Sequence, residues 1–287
     1  MTQRALVAFI LALALVTGVF GQNLGTGTGG GQRGTTAAAA TPAVPAKPTP
    51  RWPNGKPLLG TSPGEVSLWL PAGGGGERFI NADSAVPVPD KLRESEVPMQ
   101  PWARALFAYR LENQLEPHTR CRPSGGPRQF LTPYGVEILE MPSSQTIFIM
   151  DLGGPHTYRA IYMDGRPHPA DLVPSYYGHS IGRWEGDTLV IDSVGFNEKF
   201  WIDRQGTPHT DRLHMIEKLT RTDYNTIKYE VTIDDVGAYT KTWTSGFNLR
   251  WVANSELFEY VCQDNNYAPE LMVGTQESVD RTSKIVP

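Results

Sequence analysis

From residue 128 onward the apolar positions fall in short runs, several alternating with polar residues, and turn residues break the runs at close intervals. "TIFIMDL" (146–152), "TYRAIYM" (157–163), "HSIGRW" (179–184), "TLVIDSV" (188–194), "HMIEKLTR" (214–221), "TIKYEVTI" (226–233), "YTKTWT" (239–244) and "LFEYVC" (257–262) read as eight strands. A period of two places successive side chains on opposite faces, the pattern of a sheet with one face in a core. "GGP", "DGRP", "EGD", "TDYN" and "DDVG" supply the turns. No helical pattern is interleaved, so the chain predicts a mainly β fold, an antiparallel β-barrel or barrel-like sandwich. One helix precedes it, "PWARALFAYRLENQLE" (101–116), with Pro101 in its first turn and Trp102, Ala105, Leu106 and Tyr109 along one face. Residues 59–97 show little periodicity and predict a wrapping over the core surface.

Alternation in the run from Leu213 puts Leu213, Met215, Glu217, Leu219 and Arg221 on one face and His214, Ile216, Lys218 and Thr220 on the other. The run Ile227, Tyr229, Val231, Ile233 marks the apolar face as the buried one. Glu217 is thereby set among apolar neighbours. A carboxylate there either pairs with a cation, Arg221 being near in sequence, or has a raised pKa suited to proton transfer.

Upstream the pattern changes. Residues 1–21 carry Arg4, an apolar run from Ala5 to Val16 and small residues before Gln22, the layout of a cleavable signal peptide. That run is shorter than the ~20 residues needed to span a bilayer, and no cysteine follows it to take a lipid. The expectation is an exported protein, periplasmic or extracellular, with no stable membrane insertion after cleavage. Residues 22–58 are rich in Gly, Thr, Ala and Pro and predict a disordered tether. Residues 59–287 then form a single β-rich domain. The net charge of −4 comes without a basic run beyond the leader, which argues against a nucleic-acid partner. The chain has two cysteines, Cys121 and Cys262; in an exported protein they read as a disulfide, with a buried reduced pair as the alternative.

"GRWEGDTLVIDS" (182–193) predicts a hairpin across Glu185, Gly186 and Asp187. Its Gly182-x-Trp184 strand and "GDTL" phrase resemble lipocalin-like (calycin) barrels, in which such a tryptophan helps close the barrel base; here it lies mid-chain. "MDGRPHP", "SIGRWEGDTLVIDSVGFN", "GTPHTDRLH" and "ELFEYVCQDNN" resemble the phrases of a widespread group of exported bacterial proteins. That resemblance covers residues 100–287 and implies export, but no activity.

Of the six histidines, His118, His156, His168 and His209 directly follow proline. Proline fixes its own φ and favours extended geometry before it, so these imidazoles are expected where turns feed strands, at the rims of a barrel. They either cap turns or, as His156, His179, His209 and His214, converge at one open end. His209, Asp211, His214 and His179 would suffice for a divalent ion such as zinc, but a His-x4-His spacing without "HExxH" is no metal signature, and no cofactor is predicted. Ser180 in "GHSIG" sits in a hairpin rather than the strand–turn–helix of a nucleophile elbow. "GGPHT" and "AGGGGER" match no phosphate loop.

The residues then point to an enzyme of the acid/base type (lyase, hydratase, isomerase or hydrolase) acting on a small molecule. His209 or His214 would exchange protons, Asp211 would orient an imidazole, and Glu217 and His179 would complete the catalytic set. Arg159 would hold an anionic group, with His156, Tyr158, Tyr229 and Trp243 lining the substrate site. The alternative is a non-catalytic binding protein for a small, partly apolar ligand. An interaction module displayed on the tether would instead present aromatic side chains as an outer patch.

Overall fold

The computed structural model describes residues 47–74, 78–88, 90–152 and 157–262. The leader, most of the proposed tether and His156 lie outside them. Nine strands close into one barrel in sequence order. They are β1 (Ser67–Pro71), β2 (Val136–Met141), β3 (Thr146–Asp151), β4 (Thr157–Tyr162), β5 (His179–Glu185), β6 (Thr188–Val194), β7 (His214–Asp223), β8 (Thr226–Asp234) and β9 (Trp243–Ala253). Pairing of β1 with both β2 and β9 removes the free edges.

The mainly β, barrel expectation holds, with three corrections. One seam is parallel: β4 meets β5 only at Ile161 with Ser180 and Tyr162 with Ile181, because the long connection 163–178 returns the chain in the same direction. Two strands, β1 and β2, had no clear pattern, being short and set among Gly and Pro. The final expected strand, 257–262, is not one; the ninth position belongs to β9, whose Ser245, Gly246 and Asn248 dilute its apolar signal. Glycine is required there, since a Cβ on Gly246 would sit 2.5 Å from the Tyr229 carbonyl oxygen.

Inside the barrel the period-two pattern gives what it predicted on β7 and β8: Met215, Glu217, Leu219 and Arg221 point inward with Ile227, Tyr229, Val231 and Ile233. A 3-10 segment, Gly126–Leu131, is buried throughout and fills one end, with Phe130 4.7 Å from the Tyr229 ring. At the other end the guanidinium of Arg221 is packed among the rings of Trp69 (4.9 Å), Trp251 (5.0 Å) and Tyr224 (5.3 Å). It donates to the carbonyls of Leu58, Gly60 and Tyr224. Burial lowers its pKa to about 10, leaving it charged at neutral pH. The tryptophan at this base is therefore Trp69 on the first strand; Trp184, the one singled out by resemblance, is half-buried at the end of β5.

The helix α1 (Pro101–Asn113) turns Ala103, Phe107 and Arg110 to the barrel side, while Trp102 and Tyr109 are exposed. This reverses the expected face. Arg110 is buried by laying its guanidinium 4.8 Å from the Trp201 ring, whereas Trp102 keeps its indole outside and donates to the Gly237 carbonyl at 3.0 Å. Among the described residues no helix is long and apolar enough to cross a membrane.

Part of the segment read as a tether lies on the barrel. Thr49 Oγ1 donates to the Arg221 carbonyl (2.9 Å), Arg51 Nη1 donates to Asp187 (2.9 Å), and Trp52 Nε1 donates to Glu140 (2.8 Å). We call 47–58 the strap.

Cys121 and Cys262 form the disulfide, with Cα atoms 5.6 Å apart across 141 positions. Cys262 lies beyond β9, so the bond staples the segment after the barrel, rather than a strand, to the segment before Gly126. Closing so long a loop limits the unfolded chain by ~5 kcal/mol on the entropy model. The double variant Cys121→Ser/Cys262→Ser should therefore melt roughly 10 °C lower by calorimetry; an unchanged Tm would show that the bond does not constrain folding.

Candidate functional site

Five consecutive strands each contribute an inward polar side chain at one level of the barrel: Arg159 (β4), Ser180 (β5), Ser193 (β6), Glu217 (β7) and Tyr229 (β8). Arg159 Nη1 donates to Glu217 Oε1 at 2.9 Å, and Nη2 donates to Oε2, a two-pronged pair. Nε donates to Ser180 Oγ (3.0 Å) and Nη2 also to Ser193 Oγ (2.7 Å). The Tyr229 hydroxyl donates to Glu217 Oε1 at 2.8 Å. Burial opposes the Arg159 charge, yet the Glu217 carboxylate outweighs it and holds the guanidinium pKa above its ordinary value. Burial, then the charge of Glu217, pushes the Tyr229 phenol well above its ordinary value. Glu217 thus pairs with Arg159 and not with Arg221, which sits at the base; sequence proximity along β7 gave no clue to a partner three strands away.

Outside the barrel wall a second set comes together. His179 (β5), Asp192 (β6) and His214 (β7) project from neighbouring strands, and His168 reaches them from the β4–β5 connection. Both His168 Nε2 (3.2 Å) and His214 Nε2 (2.9 Å) lie on Asp192 Oδ1, and His168 Nδ1 lies 2.8 Å from His179 Nδ1. With neutral imidazoles this fixes the tautomers. His168 donates to Asp192 through Nε2, so its Nδ1 accepts from His179, and His179 Nε2 carries the free lone pair. Tyr162 stacks on His179 with ring centres 5.1 Å apart, and Arg166 covers the Tyr162 ring at 4.1 Å. Burial, followed by the charges of His168 and Arg166, lowers the His179 pKa. His168 has both nitrogens engaged, and among the described residues no group of three or more His, Cys, Asp or Glu side chains is disposed to hold a metal ion.

The other expected site residues are dispersed. His209 is buried on Phe200, ring centres 4.2 Å apart, with its nitrogens against the carbonyls of Phe200 (3.0 Å) and Thr210 (3.1 Å). Its partners are none of those of His214 or His179, and burial lowers its pKa. Asp211 is exposed on the adjoining turn. Trp243 packs between Phe79 (5.5 Å) and Tyr239 (5.3 Å) in the core, and Tyr158 is 60% exposed on the outer wall beside Phe148. His118 is half-buried, with Nδ1 2.9 Å from Ser124 Oγ, and desolvation, then Arg128, lowers its pKa to about 4.

At the barrel base an open groove of about 520 Å³ runs between the strap and the ends of β2 to β5. Trp52, Met163, Trp184, Ile147 and Met141 make it apolar, and Lys56, Glu140 and Gln145 add polar groups. The "GRWEGD" phrase builds one wall. Gly182 leaves room for Met163, whose sulfur would lie 2.5 Å from an added Cβ; Trp184 supplies the surface; and Asp187 anchors the strap through Arg51. Glu140 accepts from Trp52 Nε1 and from the backbone N–H groups of Leu59 and Gly60. Burial nonetheless raises its pKa. Sequence reading missed this groove because the strap meets the barrel from far away in the chain, and only Trp184 carried a signal. It missed Asp192 because one acidic residue at an outward strand position looks like solvated surface.

Comparison with family models, with curated proteins and with solved structures finds no match to this chain.

Two measurements follow from this geometry. Glu217→Ala should destabilise the fold by about 3–5 kcal/mol in urea titration, because Arg159 is left charged and unpaired in the interior. The double variant Arg159→Leu/Glu217→Leu should lose much less; equal losses would mean that the unpaired Arg159 charge is not what destabilises the single variant. For His118 the native pKa is depressed below its ordinary 6.5 to about 4, so its contribution is complete above pH 6.5 and lost as pH falls towards 4. Stability should drop by roughly 3 kcal/mol across that window, and His118→Asn should flatten the slope.

Proposed function

We propose that the protein is an exported binder of small, partly apolar molecules, and that the groove beneath the strap is where the ligand lies. The observation that carries this reading is the groove itself: its volume falls in the ~300–1,000 Å³ range of small-molecule sites, and two indoles and two methionines face a few fixed polar groups. Export is supported by the leader-like residues 1–21, by the Cys121–Cys262 bond and by the resemblance to exported bacterial proteins. Catalysis inside the barrel gains no support, because Glu217 and Arg159 are fully engaged with each other and line no described groove.

One observation favours the acid/base reading in a different place. His179 Nε2 is a free imidazole base backed by His168 and Asp192, an oriented proton acceptor on the outer wall. The two readings separate in one experiment. A panel of small aromatic and aliphatic molecules is titrated while tryptophan fluorescence and chemical turnover are followed together. Binding in the groove should quench the indoles, and Trp184→Ala should weaken it at least ~10-fold, about 1.4 kcal/mol, while His179→Gln leaves it unchanged. Turnover abolished by His179→Gln, with Trp184→Ala neutral, would replace the binder with the enzyme.

A further inference from the structure

Resting on the groove as the ligand site, we infer that its ligand is an anion: an aromatic or aliphatic body ending in a carboxylate or similar acid group, read by Lys56. The charges around the groove lead to this. At the β5–β6 turn both carboxylates are already neutralised, Glu185 by Arg183 at 2.6 Å and Asp187 by Arg51. Glu140 is spent on three donors from the strap side. Among the described residues Glu140 and Lys56 are the charged groups lining the groove and neither forms an ion pair, but only the Lys56 ammonium also lacks a hydrogen bond, and Asp187 is influenced by it only beyond ion-pair distance. An ammonium left without a partner beside an apolar surface meets an acid whose body fills that surface.

Lys56 is also held in place before any ligand arrives. The Trp52 N–H donates to the Lys56 carbonyl at 2.9 Å, Gly55 N–H donates to the Trp52 carbonyl at 2.8 Å, and Lys56 N–H donates to Asn54 Oδ1 at 3.0 Å. This tight turn sits on the barrel through Trp52 to Glu140 and Arg51 to Asp187. The backbone carrying the ammonium is thus fixed against the same indole that lines the groove, so less freedom is lost when the acid group docks. A cationic ligand group would instead need Glu140, whose two oxygens already accept from Trp52 Nε1 and from the backbone N–H groups of Leu59 and Gly60.

The test uses two fluorescent probes with similar aromatic bodies, 8-anilinonaphthalene-1-sulfonate, which is anionic, and N-phenyl-1-naphthylamine, which is neutral. The anionic probe should bind the whole protein more tightly, and Lys56→Gln should weaken it roughly fivefold, as expected for a partly exposed ion pair, leaving the neutral probe unaffected. Trp184→Ala should weaken both. If both probes respond to Trp184→Ala but neither to Lys56→Gln, the groove stands and the anionic class is overturned. If neither probe responds to Trp184→Ala, the groove itself is not the site and both readings fall.

Discussion

The constraint that organises the barrel interior is that the buried charges of Arg159 and Glu217 must meet each other and their hydrogen-bond partners. A charge at the centre of a closed sheet is tolerated only when every donor and lone pair is met, and here that requirement reaches across five strands. Arg159 comes from β4, its hydroxyl partners from β5 and β6, its carboxylate from β7, and the phenol that completes the carboxylate from β8. The pair also bridges one of the two thin seams in the wall, the other being β1–β2 with a single register position. Strands β4 and β5 share two register positions, and Arg159 crosses that seam to reach Ser180. Side-chain bonding supplies there what the short parallel ladder does not.

The two ends are closed by different means. Gly126–Leu131 fills one end with Phe130 against Tyr229. The other is held by a second arginine, Arg221, whose cation lies among aromatic rings while its N–H groups take the carbonyls of incoming backbone. Because Leu58 and Gly60 supply two of those carbonyls, the base and the strap form together. The groove follows from that arrangement: it is the space left where the strap crosses the ends of β2 to β5.

The same economy governs the titratable groups. Against the core, burial holds His209 and His118 towards the neutral imidazole. His179 and His214 instead sit on the outer wall around Asp192, where strand parity places every second residue of β5, β6 and β7. His214 and Glu217 are near in sequence, yet the pleat sends them to opposite sides of the wall and gives them unrelated chemistry.

Much of this was legible in the chain. Period-two alternation identified the inward faces of β7 and β8, Glu217 among apolar neighbours announced a buried carboxylate, and two cysteines behind a leader-like segment announced a disulfide. Local physics settles such matters, since side-chain direction in a strand and the cost of burying a charge do not depend on which strand lies next door. The helix face was misread because packing, not apolar count, chose it: Arg110 lies over Trp201, while Trp102 remains outside. β1 and β9 were obscured by glycine, serine and proline whose fitness shows only against a neighbouring backbone. Which cation meets Glu217, which imidazoles share Asp192, and where Lys56 stands relative to Trp184 are matters of register and closure. The sequence by itself determined the faces of the strands and the need for partners; the tertiary structure alone decided who the partners are, because each is brought from a distant part of the chain by the closing of the barrel.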